Sequence, residues 1–393
     1  MYHIGQEEID ALAAVIRSGK LFRYHESSIA AAFEARYAQF TGTRGCALAS
    51  SGSAALVAAL VGLEVGPGDE VVVPAHTYMA TALAVLQVGA IPVVADVDES
   101  LTLDPGALRD IIGPRTRAVI PVHMWGLVCD MDAILAVARE RGLRVVEDAC
   151  QCVGGAYEGR PVGSLGDAGC YSFNAYKNMT CGEGGAVASN DARVLQRARC
   201  AIDACAFFWT GNDGDVQPFA MAGSRVSELQ AAMLHVQLDR LPAIIDRLRA
   251  QKRRLTAAAA GLPLHVAPSR SPGHECGAYM VYRLATPADA DAFAARVGGT
   301  VAGKTGRHTC NFWDPILAKR GAHHPELDPF RHPANRGCRM DYAPDMCRPS
   351  LDRLARSVLV RLDPDADDAK QAALADAVRA AAVDLTRAPA AVE

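Results

Sequence analysis

Strong charge of either sign is missing from this chain of 393 residues: 40 lysines and arginines stand against 44 aspartates and glutamates, a formal net charge of −4. Without a basic excess or a Lys/Arg block there is no electrostatic footprint for nucleic acid or for a membrane surface. No apolar run approaches the ~18 residues that a membrane-spanning helix requires. The opening MYHIGQEEID has neither the basic nor the apolar stretch of a secretory leader. Paired cysteines are missing too. The twelve cysteines lie singly except Cys150 and Cys152, whose spacing fits no common zinc pattern. They read as reduced thiols of a cytoplasmic protein, most of them small core residues. Histidines cluster around His308, His323, His324 and His332, but without an i,i+4 pair on a helix or interleaved carboxylates, so no metal site is expected.

What is present is ample core material, 50% hydrophobic against 21% charged, enough for one large and one smaller domain. The division is placed at residues 1–250 and 251–393. Residues 6–18 form an amphipathic helix with Ile9, Leu12, Ala13 and Ile16 on one face, stopped by Gly19. A second helix carries Ile29, Phe33, Tyr37 and Phe40 and ends at Gly42. From Gly45 strands such as CALAS, EVVVP, IPVVADVD and LRVVED alternate with helices, the pattern of a mainly parallel α/β sheet covered on both faces. Asp96 and Asp98 read as turn residues, and His123 as a satisfied buried histidine. A helix through Leu248 bridges to the second domain, where YMVYRL and TPADADAFAARVGG suggest a strand and a helix.

The chemistry concentrates in Ser172–Gly185, SFNAYKNMTCGEGG, where the lone Lys177 follows a short buried strand and precedes a glycine-rich turn. A desolvated amine loses proton affinity and becomes a nucleophile fit for a Schiff base; a surface lysine is the alternative. Upstream, the strand through Val145 ends in Glu147-Asp148, placing a carboxylate at its end. Ser51-Gly52-Ser53-Ala54 opens a helix with small residues, so its backbone N–H groups can approach an anion; an ordinary serine cap reads equally from the pattern alone.

Together EDACQ, YSFNAYKN and TCGEGGAV, in that order, resemble the DegT/StrS family of aminotransferases acting on keto sugars and cyclitols. The likeness runs from about Ile4 to about Leu262 and returns near the C-terminus. It implies a fold-type-I enzyme with pyridoxal 5'-phosphate as cofactor, and a ping-pong transfer from glutamate or glutamine to a keto acceptor. Lys177 would carry the cofactor and move the proton, and Asp148 would hold the ring nitrogen protonated. Gln151 falls to the ring hydroxyl, Tyr78 to stacking on the ring, and Gly52, Ser53, Ala54 and Ser172 to the phosphate. The resemblance also implies a homodimer whose sites are shared, with Arg23, Tyr24 and Arg225 as substrate or cross-subunit contacts. The family's asparagine two residues before Arg225 is Gly223 here, which leaves that phosphate contact without its usual residue. Lys304, Arg307, His308 and Trp313 are expected on a substrate-facing lid, and Phe207–Phe219 on a loop bordering the site. A dehydratase on the same scaffold, or a regulatory protein that keeps the cofactor, are the competing readings; related dehydratases carry histidine in place of the lysine.

Overall fold

The computed structural model describes residues 4–211, 216–262 and 264–387. Residues 212–215, within the expected Phe207–Phe219 loop, lie outside the described residues. In chain order the first body comprises α1 (Gln6–Ser18), α2 (Ile29–Thr41), β1 (Gly45–Ala49), α3 (Gly52–Gly62), β2 (Glu70–Pro74), α4 (Ala80–Gln87) and β3 (Ile91–Ala95). It continues with α5 (Pro105–Ile111), β4 (Thr116–Val119), α6 (Met131–Arg141), β5 (Arg144–Asp148), a small hairpin of β6 (Ala156–Tyr157) and β7 (Arg160–Pro161), β8 (Ala168–Ser172) and β9 (Gly185–Ser189). Then come α7 (Ala192–Ile202), the short α8 (Phe207–Thr210) and the long α9 (Glu228–Ala259). The second body is built from β10 (His265–Val266), β11 (Tyr279–Arg283), α10 (Pro287–Val297), β12 (Thr300–Val301), α11 (Asp314–Leu317), α12 (Arg348–Ala355), β13 (Ser357–Arg361) and α13 (Asp368–Arg387).

Seven strands form the main sheet in the order β1-β9-β8-β5-β4-β2-β3. Only β9 runs against its neighbours; the pairs from β8 to β3 are parallel. β2, β3, β8 and β9 are buried along their whole length, as expected of strands covered by helices on both faces. This is the fold-type-I arrangement. Ligands of such sheets sit outside the carboxyl ends of the parallel strands, which is where β5 presents Asp148 and the loop after β8 presents Lys177.

Helix boundaries follow local chemistry. Ser51 caps α3, Asp130 caps α6, and Ser227 with Gln230 forms a capping box at α9. α2 turns Phe33 and Tyr37 fully inward as its periodicity requires. The expectation for α1 is corrected. Ile9 and Ile16 are 57% and 63% exposed, and the buried positions are Glu8 and Val15. The cause is the neighbouring α9, from which Gln237 donates to Glu8 at 2.8 Å and Arg240 pairs with the same carboxylate. Satisfying a buried acid sets the rotation of α1 and leaves its apolar edge facing out.

The second body is an antiparallel sheet of order β10-β11-β13-β12. It packs on α9, α10 and α13 around Met280, Tyr282, Phe293, Val358 and Val378. α9 spans 32 residues and residue 250 lies inside it. Between β12 and β13 the chain returns to the first body: Thr309 bridges to His76, and Arg339 pairs with Glu70. That return carries Arg307 and His308 to the end of β2.

Candidate functional site

A cavity of about 640 Å³ opens over the carboxyl ends of the central strands, with Lys177, Asp148 and Ser172 in its wall. The loop that holds Lys177 is closed by its own backbone: Phe173 N–H donates to Gly184 O at 2.8 Å, Ala175 N–H to Gly182 O at 2.9 Å, and Lys177 N–H to Asn174 O at 3.0 Å. The glycines have a steric reason. A Cβ on Gly185 would lie 2.4 Å from the Ser51 backbone, and one on Gly184 2.6 Å from Cys181 Sγ, so only glycine lets β9 meet the start of α3. Lys177 is half-buried. Desolvation lowers its proton affinity, opposed in part by Cys150, Asp148 and Glu183.

β5 ends in two acids on opposite faces, as strand alternation dictates. Glu147 accepts from the amides of Gly163, Leu165 and Gly166 at 2.8, 2.6 and 2.7 Å and meets His123 Nε2 at 3.1 Å. Because Cys129 N–H donates to His123 Nδ1 at 3.2 Å, the neutral ring carries its proton on Nε2. Both residues are therefore structural, and the expectation for His123 holds. Asp148 faces the cavity. Its Oδ2 accepts from Thr81 at 2.8 Å and its Oδ1 from the Cys150 amide at 3.1 Å. Thr81, donating there, receives the Thr77 hydroxyl at 2.7 Å, so a short relay fixes the carboxylate.

At the other end α3 points its N-terminus into the cavity. A Cβ on Gly52 would come within 2.8 Å of Cys150 Sγ and 2.9 Å of Ser172 Cβ, leaving a tight cradle of backbone and hydroxyls. Ser172 Oγ takes only a long 3.4 Å bond from Asn174 N–H, so its own proton is free to donate. Ala54 is a correction: its amide is spent on the Ser51 hydroxyl at 3.1 Å, the helix cap.

One wall is aromatic. Tyr78 lies 5.6 Å from the His308 ring, His308 5.6 Å from Trp125, and Trp125 6.1 Å from Tyr279. Trp125 holds a left-handed backbone at φ 53°, a conformation that a bulky residue keeps only when its surroundings impose it. Behind it His76 stacks edge-on at 4.4 Å and donates Nδ1–H to Leu101 O at 2.8 Å. Burial pushes His76 down to about 4. His308 is likewise driven down to about 4, chiefly by burial, with Arg307 and Lys177 adding repulsion.

The structure thus brings together Lys177, Asp148, Gly52, Ser53, Tyr78, Gln151, Ser172, Arg307 and His308. Others go elsewhere. Lys304 reaches away to Asp291 at 2.6 Å. Trp313 is fully buried in the core and donates its indole N–H to Arg307 O at 3.3 Å, so it braces the Arg307 backbone and faces no substrate. Arg23 and Tyr24 line a second pocket, of about 880 Å³, beside α2, and Arg225 lines neither that pocket nor the Lys177 cavity. Arg225 pairs with Asp203 at 2.9 Å, Tyr24 donates to Asp203 at 2.6 Å, and Arg23 binds Glu34 at 2.6 Å. Glu228, three residues after Arg225, is spent instead on Ser28 and the amides opening α2. Gly223 has no crowding to explain it: a Cβ there would meet nothing within 4 Å. Phe207–Thr210 is a short exposed helix, not loop. In the histidine-rich stretch, His324 and His332 cap turns by accepting the amides of Glu326 and Ala334. Residues missed from sequence include Thr81, Trp125, Asn178, Glu183, Tyr279 and Arg361. For Thr81 a signal existed, its place one helical turn after Thr77 in AHTYMATA.

Against known proteins, the sequence profile of the DegT/DnrJ/EryC1/StrS aminotransferase family matches residues 2–305. The chain belongs to this family. Among curated DegT relatives, L-glutamine:2-deoxy-scyllo-inosose aminotransferase of Streptoalloteichus tenebrarius is 34% identical over 355 residues, 82% of each chain. GDP-perosamine synthase of Caulobacter vibrioides is 39% identical over 226 residues, 56% of this chain and 58% of that protein. With several of these relatives the match spans little more than half of their length. Among solved structures, S. venezuelae DesV superposes with a TM-score of 0.74 at 31% identity, covering 96% of this chain and 94% of that one. Among the described residues no helix is long and apolar enough to cross a membrane.

Proposed function

We propose that this DegT-family chain is a pyridoxal 5'-phosphate-dependent aminotransferase that takes an amino group from glutamate or glutamine and delivers it to a keto sugar or keto cyclitol. The observation that carries the reading is one cavity holding a desolvated amine, a buried carboxylate fixed by a hydroxyl relay, and a helix N-terminus cradled by glycine. These are the donors that the cofactor's carbonyl, ring nitrogen and phosphate need, so the residues fit the group. When bound, pyridoxal phosphate supplies an electron sink for bonds at the substrate α-carbon. Lys177 Nζ would hold the cofactor at its carbonyl carbon, with loss of water, and would carry the proton as base and acid. Asp148, held by Thr81 and the Cys150 amide, keeps a proton on the ring nitrogen. Gln151 serves the ring hydroxyl, Tyr78 covers the ring face, and Gly52, Ser53 and Ser172 hold the phosphate. The aromatic wall excludes water from the reacting amine, which keeps its proton affinity low. The first body carries the cofactor and the second closes over it, in a cytoplasmic enzyme.

The working unit in this reading is a homodimer with shared sites. Its support is a set of exposed apolar side chains, Ile9, Ile16, Leu21, Phe22, Phe208 and Trp209, of which Phe22 lies under the Arg225 guanidinium and against Trp209. The test of function is the half-reaction: glutamate or glutamine should convert the bound cofactor to its amino form, and a keto sugar or keto cyclitol should convert it back. A chain that bleaches with neither donor is not an aminotransferase.

A further inference from the structure

The aromatic wall of the Lys177 cavity carries an arginine at each end. At one end the Arg307 guanidinium carbon sits 5.5 Å over the Tyr78 ring. At the other, Arg361 is the last residue of β13 and pairs across the ladder with Tyr279 of β11, whose phenol feels its charge. Strand alternation fixes where Arg361 points. Val358 and Val360 face the core of the second body, whereas Leu359 packs into the core shared with the first. Arg361 shares the Leu359 face and so lines the Lys177 cavity. Both positions are braced through the main chain: Arg307 O accepts from Met79 N–H at 2.9 Å and from the Trp313 indole, and Arg361 closes a five-residue ladder.

Neither guanidinium has a carboxylate partner among the described residues. The acids of the cavity do not supply one, because Asp148 is held by Thr81 and the Cys150 amide, and Glu183 accepts from Asn174 at 3.0 Å. By contrast Arg23, in the other pocket, and Arg225 each close on an acid of their own chain. Arginine charges held against aromatic faces in a concave site, without an internal counter-ion, make a receptor for a planar oxyanion. We propose that Arg307 and Arg361 form an anion subsite at the mouth of the Lys177 cavity and take a carboxylate, or a comparable oxyanion, carried by the substrate. The identity of that substrate rests on the aminotransferase reading; the subsite itself does not. The oxyanion belongs either to the amino-acid donor or to an acidic keto acceptor.

The test compares the parent holoenzyme with Arg361→Gln, Arg307→Gln and Arg361→Lys. Calorimetric titration with glutarate, an unreactive dicarboxylate, should show the dissociation constant rising about tenfold or more in each Gln variant, the range for a lost charge-assisted contact. Arg361→Lys should recover part of it, and neutral glutaramide should not discriminate among the proteins. Thermal unfolding midpoints unchanged in the variants exclude a folding defect. In the kinetic arms, a raised half-saturation for glutamate assigns the oxyanion to the donor, and a rise confined to the keto acceptor assigns it there. Glutarate binding and both half-saturations unmoved in folded variants would overturn the subsite. Failure of the parent to react with either donor, with arginine-dependent glutarate binding intact, would overturn the aminotransferase reading and leave the subsite standing.

Discussion

Two pockets of this chain are lined by similar residues and do opposite things with them. Beside α2, Arg23 and Tyr24 of the pocket and the neighbouring Arg225 meet Glu34 and Asp203, and each charge is closed inside the chain. Above the sheet, Lys177, Arg307 and Arg361 line a cavity whose acids are committed to other donors. The first arrangement satisfies itself; in the second the cations find no carboxylate partner among the described residues. Aromatic and cationic composition does not separate the two, since both have it. What separates them is whether the counter-charges are already consumed, and that is a property of the fold.

The comparison breaks most sharply at Lys177. Lys177→Ala should lose ~10²–10⁴-fold or more in the half-reaction from proton transfer alone, while still binding cofactor through the cradle at Gly52. Stopped-flow absorbance checks this, and near-normal conversion would move the nucleophile elsewhere. Next is Asp148→Asn, which keeps shape and removes charge; a loss of roughly a hundredfold is expected, with cofactor retention falling less. Thr81→Val removes the donor that fixes Asp148 and should cost about tenfold in the same assay.

Arg225 sharpens the comparison from the other side. Within one chain its contact is a half-exposed ion pair, so Arg225→Ala should cost at most ~1 kcal/mol in denaturant unfolding. If Arg225 completes a neighbouring subunit's site, mixing Lys177→Ala and Arg225→Ala chains under subunit exchange restores roughly a quarter of parental activity by random pairing. Each heterodimer then holds one site with both lesions and one intact. A mixture that stays inactive confines Arg225 to its own chain.

The smallest effect is on stability against pH. Burial holds Lys177 below its unfolded proton affinity, so without cofactor the unfolded chain binds the extra proton. The penalty is fully present below the folded value and disappears as pH rises past the unfolded one, near 10.5. Lys177→Met should therefore stabilise the cofactor-free protein at neutral pH, with the gain shrinking in alkaline buffer. A constant gain across that window would mean the amine is not desolvated.

The legible parts were the local ones. Lys177, Asp148, Ser172 and Gly52 are announced by short motifs because each sits at the end of its own strand or helix, where type and position are fixed within a few residues. The parallel sheet was legible for the same reason, through buried apolar strands alternating with helices. Arg361, Tyr279 and Trp125 were not, because their meeting depends on the β11–β13 register and on a left-handed residue far along the chain. Trp313 misled through its polar neighbours, though its indole is buried. Lys304 misled because Asp291, 13 residues earlier, claims it. The outward Ile9 and Ile16 show a helical stripe overruled by one buried glutamate.

The central claim, that Lys177 holds the cofactor, is tested most directly by reducing the holoenzyme with borohydride and mapping the modified peptide by mass spectrometry. The account predicts a single pyridoxyl adduct on Lys177, in the tryptic peptide that begins after Arg144, because Pro161 blocks cleavage at Arg160, and ends beyond the blocked lysine. An adduct on another lysine, or a protein that retains no cofactor through reduction, would contradict it.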